Sequence, residues 1–300
     1  MLSYLTELDR DPVWTLELLE EAATLKRHKT ASSELLGRSV ALYFEKPSVR
    51  TRVSFALGVQ QLGGWVVELA ASNTKVGKGE HPEDFASVLG RYVDLIIARV
   101  FDQTTLEIFR DASGVPVVNA LSDSRHPCQA LADALTIRER NKPFESLVFA
   151  FVGEGNNVAA STGLLLASFG AEVRVATPRG FGLPDSVLHE AAALSGQVVP
   201  LTDVRDAADG ADVLYTDTWV SMGQEGEAQR RAEAFRGYCV DTALLARAKP
   251  DALVMHCLPA VRGQEITREV MYGAQSAIWD QAENRLHVQK ALMLRILGGR

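Results

Sequence analysis

Long apolar runs are missing from this 300-residue sequence. The longest, Leu147 to Gly153, falls far short of the roughly 18 residues that a membrane-crossing helix needs, so no membrane partner is expected. Cysteine is scarce: Cys128, Cys239 and Cys257 are the three, with no C-x-x-C spacing. So small and odd a set argues against a disulfide framework and against structural zinc. The six histidines never recur at i, i+4 beside an acid, and no metal is expected. Blocks of one charge sign are absent as well. With a net charge of −7 and no basic stripe, nucleic acid is not an expected partner. The opening MLSYLTELDRDPVW has no basic segment followed by an apolar core, so a signal peptide is not expected and the cytoplasm is. Internal repeats and low-complexity segments are likewise missing.

What is present is an ordinary globular balance, 47% hydrophobic and 23% charged. At about 100–200 residues per domain, the length suggests two domains. Short β-branched runs read as buried parallel strands at 39–44, 65–70, 94–100, 116–121, 147–153, 171–177, 212–216 and 253–257. Amphipathic stretches between them read as helices: TLELLEEAATLKRH, VRTRVSFALGVQQL, PEDFASVLGRY, CQALADALTIRER, VAASTGLLLASF and AENRLHVQKALMLRIL. This alternation predicts an α/β protein of two doubly wound domains, each a mainly parallel sheet flanked by helices, with the active site in the cleft between them. Asn141-Lys142-Pro143 is the best linker. The expected domains are 1–143 and 144–279, with a C-terminal helix, 280–300, packing back on the first. In such sheets ligands gather at the carboxyl ends of strands.

Chemistry-bearing residues stand at those ends. Phe44-Glu45-Lys46-Pro47-Ser48-Val49-Arg50-Thr51-Arg52 ends a strand and opens a helix, with Ser48 as its cap. Helix N-termini carry about half a positive charge and bind phosphate. Arg50 adds a planar fork, and Ser48 and Thr51 add hydroxyls. Arg99 ends an apolar strand, where burial calls for an anion. In Ser124-Arg125-His126-Pro127-Cys128-Gln129, His126 and Gln129 lie one turn apart on one side, suited to a carbonyl oxygen and an amide. Val152-Gly153-Glu154-Gly155-Asn156-Asn157 resembles a dinucleotide fingerprint but has Val158 at the third glycine, which weakens a nucleotide reading. Gly155 would let a ligand approach the backbone, and Asn157 would read a carboxylate. Asp217, after the strand 212–216, is placed to hold an ammonium group. His256-Cys257-Leu258-Pro259 follows the last strand. If the strand is regular, alternation keeps His256 and Cys257 from facing one pocket, and Leu258-Pro259 is open to either isomer. Taken singly, each of these residues has an ordinary structural explanation as a cap, a snorkelling arginine or a buried inert cysteine.

Together they carry a resemblance. F-E-K-P-S-V-R-T-R resembles the F-x-K-x-S-T-R-T-R motif of the aspartate/ornithine carbamoyltransferases. His126-Pro127-Cys128-Gln129 is similar to their H-P-x-Q. Asp217 through Gly223 is similar to the D-x-W-x-S-M-G loop of the ornithine branch, and His256 to Pro259 matches its H-C-L-P. Asp280 to Lys290, with Ala282-Glu283-Asn284-Arg285, resembles the C-terminal segment. The likeness runs from about residue 3 to 298 with the motifs in order.

The resemblance implies a carbamoyltransferase acting on carbamoyl phosphate and L-ornithine to give citrulline, in arginine biosynthesis, as a homotrimer. Ser48, the Val49 backbone, Arg50 and Thr51 would hold the phosphate. Arg99, His126 and Gln129 would hold the carbamoyl end, helped by the Cys257-Leu258 backbone and Arg285. Asn157, Asp217, Ser221 and Met222 would hold the α-carboxylate and α-amine of ornithine. The catalytic groups would be Arg99, His126 and Cys257, the last either lowering the amine's pKa as a thiolate or only orienting it. Lys75 lies where the family reaches into a neighbouring subunit's site. Val49 stands where the motif has Thr. No cofactor is expected, because an acyl phosphate is already activated. Sibling enzymes for N-acetylornithine, putrescine or aspartate fit the acceptor residues less well. The missing third glycine speaks against a Rossmann oxidoreductase, and an amino-acid binding protein would leave the phosphate cradle unexplained.

Overall fold

The computed structural model describes residues 2–28, 32–74, 76, 79–220 and 225–298. It divides into two compact units, Met1–Ala132 with Asn284–Arg300, and Asp133–Glu283. The sequence places the division at residues 141–143. In the structure it falls inside one helix at Ala132/Asp133 and inside another at Glu283/Asn284.

In the first unit the order is α1 (Pro12–Arg27), β1 (Ser39–Phe44), α2 (Val49–Gln61), β2 (Trp65–Ala70), α3 (Pro82–Leu89), β3 (Leu95–Arg99), α4 (Gln103–Ser113), β4 (Val117–Leu121) and the start of α5 (Pro127–Glu139). The second continues with β5 (Val148–Val152), α6 (Asn157–Ser168), β6 (Glu172–Ala176), α7 (Asp185–Ala191), β7 (Gln197–Leu201), α8 (Val204–Ala208), β8 (Val213–Thr216), α9 (Ala228–Ala234), α10 (Thr242–Leu245), β9 (Leu253–His256) and α11 (Arg268–Met271). The last helix, α12 (Ile278–Gly298), begins in the second unit and ends in the first.

Both sheets are parallel. Their strand orders are β2-β1-β3-β4 and β7-β6-β5-β8-β9. Each sheet therefore reverses direction once, between β1 and β3 and between β5 and β8, and such a reversal opens a crevice at the carboxyl ends of the strands. β3 and β4 are buried at every position, as parallel strands covered on both faces must be. The first core joins Ala41, Tyr43, Ile96, Ala98, Leu106 and Phe109. The second joins Ala150, Val152, Leu214, Val254, Ile266 and Ile278. α6 is buried from Val158 to Ala167, which its almost unbroken apolar and small residues permit.

Several elements were not foreseen: the short helices α7 to α11, the strand β7 and the helix α4. β7 is an edge strand with Pro200 inside it, and proline, lacking a ladder N–H, is tolerated in a sheet only at such an edge. α4 has Asp102 as its cap, bonded to the Thr104 N–H at 3.0 Å, and ends at Gly114 with φ 70°. The role given to Gly155 also needs correcting. A Cβ there would lie 2.3 Å from the Leu183 nitrogen, so the glycine makes room for the chain's own backbone rather than for a ligand.

Candidate active site

The first unit builds a cationic recess at its crevice. β1 ends at Phe44, and the next residues lock it to the end of β3. The Glu45 N–H donates to the Arg99 carbonyl at 2.8 Å, and Glu45 Oε2 accepts from the Phe101 N–H at 2.8 Å. Lys46, buried, pairs with Asp123 and sits 4.4 Å from the Phe101 ring centroid. Ser48 then caps α2, accepting from the Thr51 N–H at 3.4 Å and donating to Thr51 Oγ1 at 3.0 Å. The first turn of any helix leaves N–H groups without an intrahelical partner. Here that turn holds Val49, 79% exposed, and the exposed Arg50.

Arg99 ends β3 at a register shift, where pairing steps from Ala98↔Asn119 to Arg99↔Leu121. An irregularity of that kind re-aims a side chain. Arg285, on the part of α12 that belongs to this unit, donates to Gln129 Oε1 at 2.8 Å and to Thr51 Oγ1 at 3.4 Å. Thr51, Arg99, His126, Gln129 and Arg285 are all buried. Burial first, then the positive charges of Arg285 and Arg99, hold the His126 imidazole well below its ordinary pKa. It is neutral at pH 7 and keeps one N–H to donate. Two guanidinium groups around a neutral imidazole make a recess fit for an anion that also carries a carbonyl.

The second unit builds the opposite polarity. Asn156 caps α6, its Oδ1 accepting from the Val158 and Ala159 N–H groups at 3.0 and 3.1 Å. Its Nδ2 donates to Asp217 Oδ2 at 2.8 Å, so one amide ties the crevice side of β5 to that of β8. Asp217 Oδ1 accepts from the Thr218 N–H at 2.8 Å and from the Cys257 thiol at 2.9 Å. Burial, then the charge of Asp217 and the hydrogen bond to it, push the Cys257 thiol well above its usual range. With no substrate bound, Cys257 is held as a thiol that donates to Asp217.

His256 is the last residue of β9, so the alternation expected to separate it from Cys257 ends there. Its Nδ1 accepts from the Leu258 N–H at 2.8 Å, which leaves the proton on Nε2, 3.2 Å from Glu265 Oε1. Glu265 also takes the Val261 N–H. These bonds shape the turn after Cys257, where Leu258 has φ 61° and the Leu258–Pro259 bond is cis. Asp217, His256 and Cys257 offer atoms within 4.8 Å of one another that metals can bind, but both imidazole nitrogens and the thiol proton are already committed to protein partners. A further support is Arg231, nearly buried, which donates to Glu154 at 2.7 Å and to the Trp219 carbonyl at 3.0 Å while pairing with Glu227 at 3.1 Å. It joins the β5–α6 loop to the stretch after β8.

The structure thus brings Ser48, Thr51, Gln129 and Arg285 into one network around the cationic recess, and Asp217 and Cys257 into another. Arg50 and Val49 stand exposed at the helix start. Asn157 is the first residue of α6 and half-buried; its neighbour Asn156 makes the bond to Asp217. Lys75, Ser221 and Met222 lie outside the described residues. Sequence reasoning missed Asn156, Glu265 and Arg231. For Asn156 a signal existed, since an asparagine just before a helix is a cap. Arg231 acts through Glu154, far away in the chain, whereas Glu265 acts through His256 and Val261, a few residues before it.

Comparison with known proteins bears on both halves. Residues 3–139 match the family model described as aspartate/ornithine carbamoyltransferase, carbamoyl-P binding domain. Residues 145–296 match the one described as the Asp/Orn binding domain of the same family. The chain is 48% identical over 299 residues to the ornithine carbamoyltransferase of Methanoculleus marisnigri, covering 99% of this chain and 97% of the relative. It is 50% identical over 305 residues to that of Acidothermus cellulolyticus, covering 99% and 98%. The solved ornithine carbamoyltransferase from Pyrococcus furiosus superposes with a TM-score of 0.94 at 42% identity, over 99% of this chain and 97% of that one.

Proposed function

This chain belongs to the aspartate/ornithine carbamoyltransferase family, and we propose that it transfers the carbamoyl group of carbamoyl phosphate to the side-chain amine of L-ornithine, giving L-citrulline and phosphate. The observation that carries this reading is the opposed polarity of the two crevices. One surrounds a neutral imidazole with guanidinium groups; the other pairs a buried carboxylate with a thiol.

On this reading the α2 N-terminus, Ser48, Arg50 and Thr51 receive the phosphate. Arg99, the His126 N–H and the Thr51 hydroxyl point hydrogens at the carbonyl oxygen, where negative charge grows as the amine adds. Gln129, Arg285 and the Cys257-Leu258 backbone hold the carbamoyl end. The side-chain amine has an ordinary pKa near that of lysine, about 10.4, and must shed a proton before it attacks. Its nitrogen then bonds to the carbamoyl carbon, the bond from that carbon to the phosphate oxygen breaks, and the second proton leaves the nitrogen. Phosphate departs against the cationic recess. Asp217 holds the α-ammonium, which favours ornithine over an N-acetylated acceptor that has no such charge. Asn157, Ser221 and Met222 complete the acceptor set. The reaction requires that the two bound substrates be brought into bonding reach, a positional effect able to supply much of the acceleration.

The same reading includes a homotrimer in the cytoplasm serving arginine biosynthesis, with Lys75 reaching a neighbouring subunit's site. Its support here is an exposed apolar stripe on α2, Val49, Val53 and Leu57, beside Trp65 and Val67 on the edge strand β2. Apolar patches of that kind mark surfaces that bind other chains. The deciding experiment is a colorimetric citrulline assay with ornithine, N-acetylornithine, putrescine and aspartate offered in parallel. Ornithine should be carbamoylated fastest, and a faster rate with any other acceptor would overturn the assignment.

A further inference from the structure

Two rungs cross from the β5–α6 loop to the stretch after β8. The strands themselves end level, with Val152 paired to Thr216 and the Thr216 hydroxyl donating to the Val152 carbonyl at 2.7 Å. Past that point side chains replace the ladder. Glu154 accepts from Arg231 Nη1 at 2.7 Å, and the same nitrogen donates to the Trp219 carbonyl at 3.0 Å. The loop is held from behind as well, by the Gly155 N–H on the Phe181 carbonyl at 2.8 Å. Asn156 makes the other rung, and it ends on the Asp217 carboxylate.

The Asn156 amide has one possible orientation. Its oxygen faces the Val158 and Ala159 N–H groups, which can only donate. Its nitrogen faces a carboxylate, which accepts. Capping α6 needs the oxygen alone. The bond from the nitrogen to Asp217 is what a capping role leaves unexplained. Among the described residues, Asp217 Oδ1 receives two donors, the Thr218 N–H and the Cys257 thiol, and Oδ2 receives only the Asn156 amide. A carboxylate oxygen has two lone pairs, so Oδ2 keeps one for a further hydrogen.

We propose that Asn156 is a positioning residue for the acceptor, a spacer that holds Asp217 at a set distance from the start of α6. The inference rests on the reading of Asp217 as the partner of ornithine's α-ammonium and of Asn157 as the reader of its carboxylate. In an amino acid those two groups are separated by covalent bonds and cannot adjust. A site that binds both needs its two readers at a matching separation, each locked by a supporting side chain. Asn156 supplies that lock. Its oxygen is tied to the first turn of α6, where Asn157 sits, and its nitrogen to Asp217 Oδ2.

The test separates the cap from the rung. Asn156→Ser keeps a capping oxygen and removes the amide that spans to Asp217. Its Tm should stay near the parent's. Its KM for ornithine should rise by about tenfold or more, as loss of a hydrogen bond to a charged group implies. kcat at saturating ornithine should change less, and the KM for carbamoyl phosphate should stay in place. In an Asp217→Asn background the same substitution should add little, because it acts through that carboxylate. A serine variant with the parent's KM for ornithine overturns the proposal and leaves Asn156 a cap alone. So does an undiminished effect in the Asp217→Asn background. Should Asn156→Ser not fold, Asn156→Asp carries the test. It has the same size and caps as well, but sets an oxygen where the donor stood. Its KM for ornithine at pH 8 should also rise, and an unchanged value overturns the proposal. Failure of the underlying reading looks different. Asp217→Asn alone would then leave the KM for ornithine unchanged, and the proposal would fall with it.

Discussion

The two crevices use one construction and reach opposite electrical ends. Each lies where a parallel sheet reverses its strand order, and each begins with a capped helix after the central strand. Ser48 caps α2 and donates a hydrogen bond to Thr51 Oγ1, which also accepts from Arg285. Asn156 caps α6 and spends its amide on Asp217. In the cationic crevice burial and two arginines strip the proton from His126; in the anionic one burial and Asp217 keep the proton on Cys257. Both titratable groups end up neutral and able to donate. The lesson is that the charge of a recess can fix the protonation of its least permanent member, so that a donor is present in either field.

The comparison breaks first under a crossed pair of substitutions. Arg285→Ala removes the guanidinium that joins Gln129 to Thr51 and should lower kcat with carbamoyl phosphate by about 100-fold or more, the scale of losing one preorganised donor. Equilibrium binding of phosphate should weaken with it. Asp217→Asn should leave phosphate binding in place and raise the KM for ornithine by about tenfold or more, the scale of a lost charged hydrogen bond. Steady-state kinetics with each substrate varied, plus phosphate titrations, read both arms. Phosphate binding abolished by Asp217→Asn and untouched by Arg285→Ala would reverse the division of labour.

A smaller effect sharpens the electrostatic half. Below about pH 6.5 the unfolded chain gains a proton on His126. The folded chain does not, because its imidazole is held well below that value. The unfolded state therefore binds more protons there, and stability drops as pH falls from about 6.5 toward the depressed folded value. His126→Gln removes that contribution. The fall in Tm between about pH 7.5 and about pH 5.5 should be smaller in the variant than in the parent. Equal falls would mean that His126 is charged in the folded chain.

The smallest effect concerns Val49. Its side chain is 79% exposed, so Val49→Thr has little packing to lose. A new hydroxyl beside the helix start should tighten carbamoyl phosphate by at most about tenfold, the worth of one neutral hydrogen bond. Weaker binding in a titration would reveal packing by Val49 that its exposure does not suggest.

Much of this site was legible because it is local. Ser48, Arg99, His126, Asp217 and Cys257 all follow apolar runs, and strand ends can be read from hydrophobic periodicity. The helix α4 was equally legible and was overlooked: Asp102 is a cap, Gly114 a terminator, and Leu106 and Phe109 lie one turn apart. β7 was obscured by Pro200, which reads as a breaker unless the strand is known to be an edge. Asp133, Gln281 and Tyr215 were out of reach, because nothing within a window of sequence says that three residues so far apart share hydrogen bonds. Gly155 shows the converse error, in which a local pattern suggested ligand access where the fold needed room for its own chain.

Pro200 has a consequence for misassembly. A sheet edge offers unpaired backbone groups to any passing strand, and natural proteins guard such edges. β7 carries a proline. β4 is flanked by the N-terminal segment through the Tyr4↔Val118 bridge, and β9 by the Val254↔Ser276 bridge. β2, the remaining outer strand, instead shows Trp65 and Val67 to the outside, next to the apolar stripe of α2. If the proposed homotrimer forms through this surface, association and aggregation would draw on the same residues. Among the described residues no bridge flanks β2, so on that reading mass action, rather than a guard built into the strand, would keep this edge from other chains.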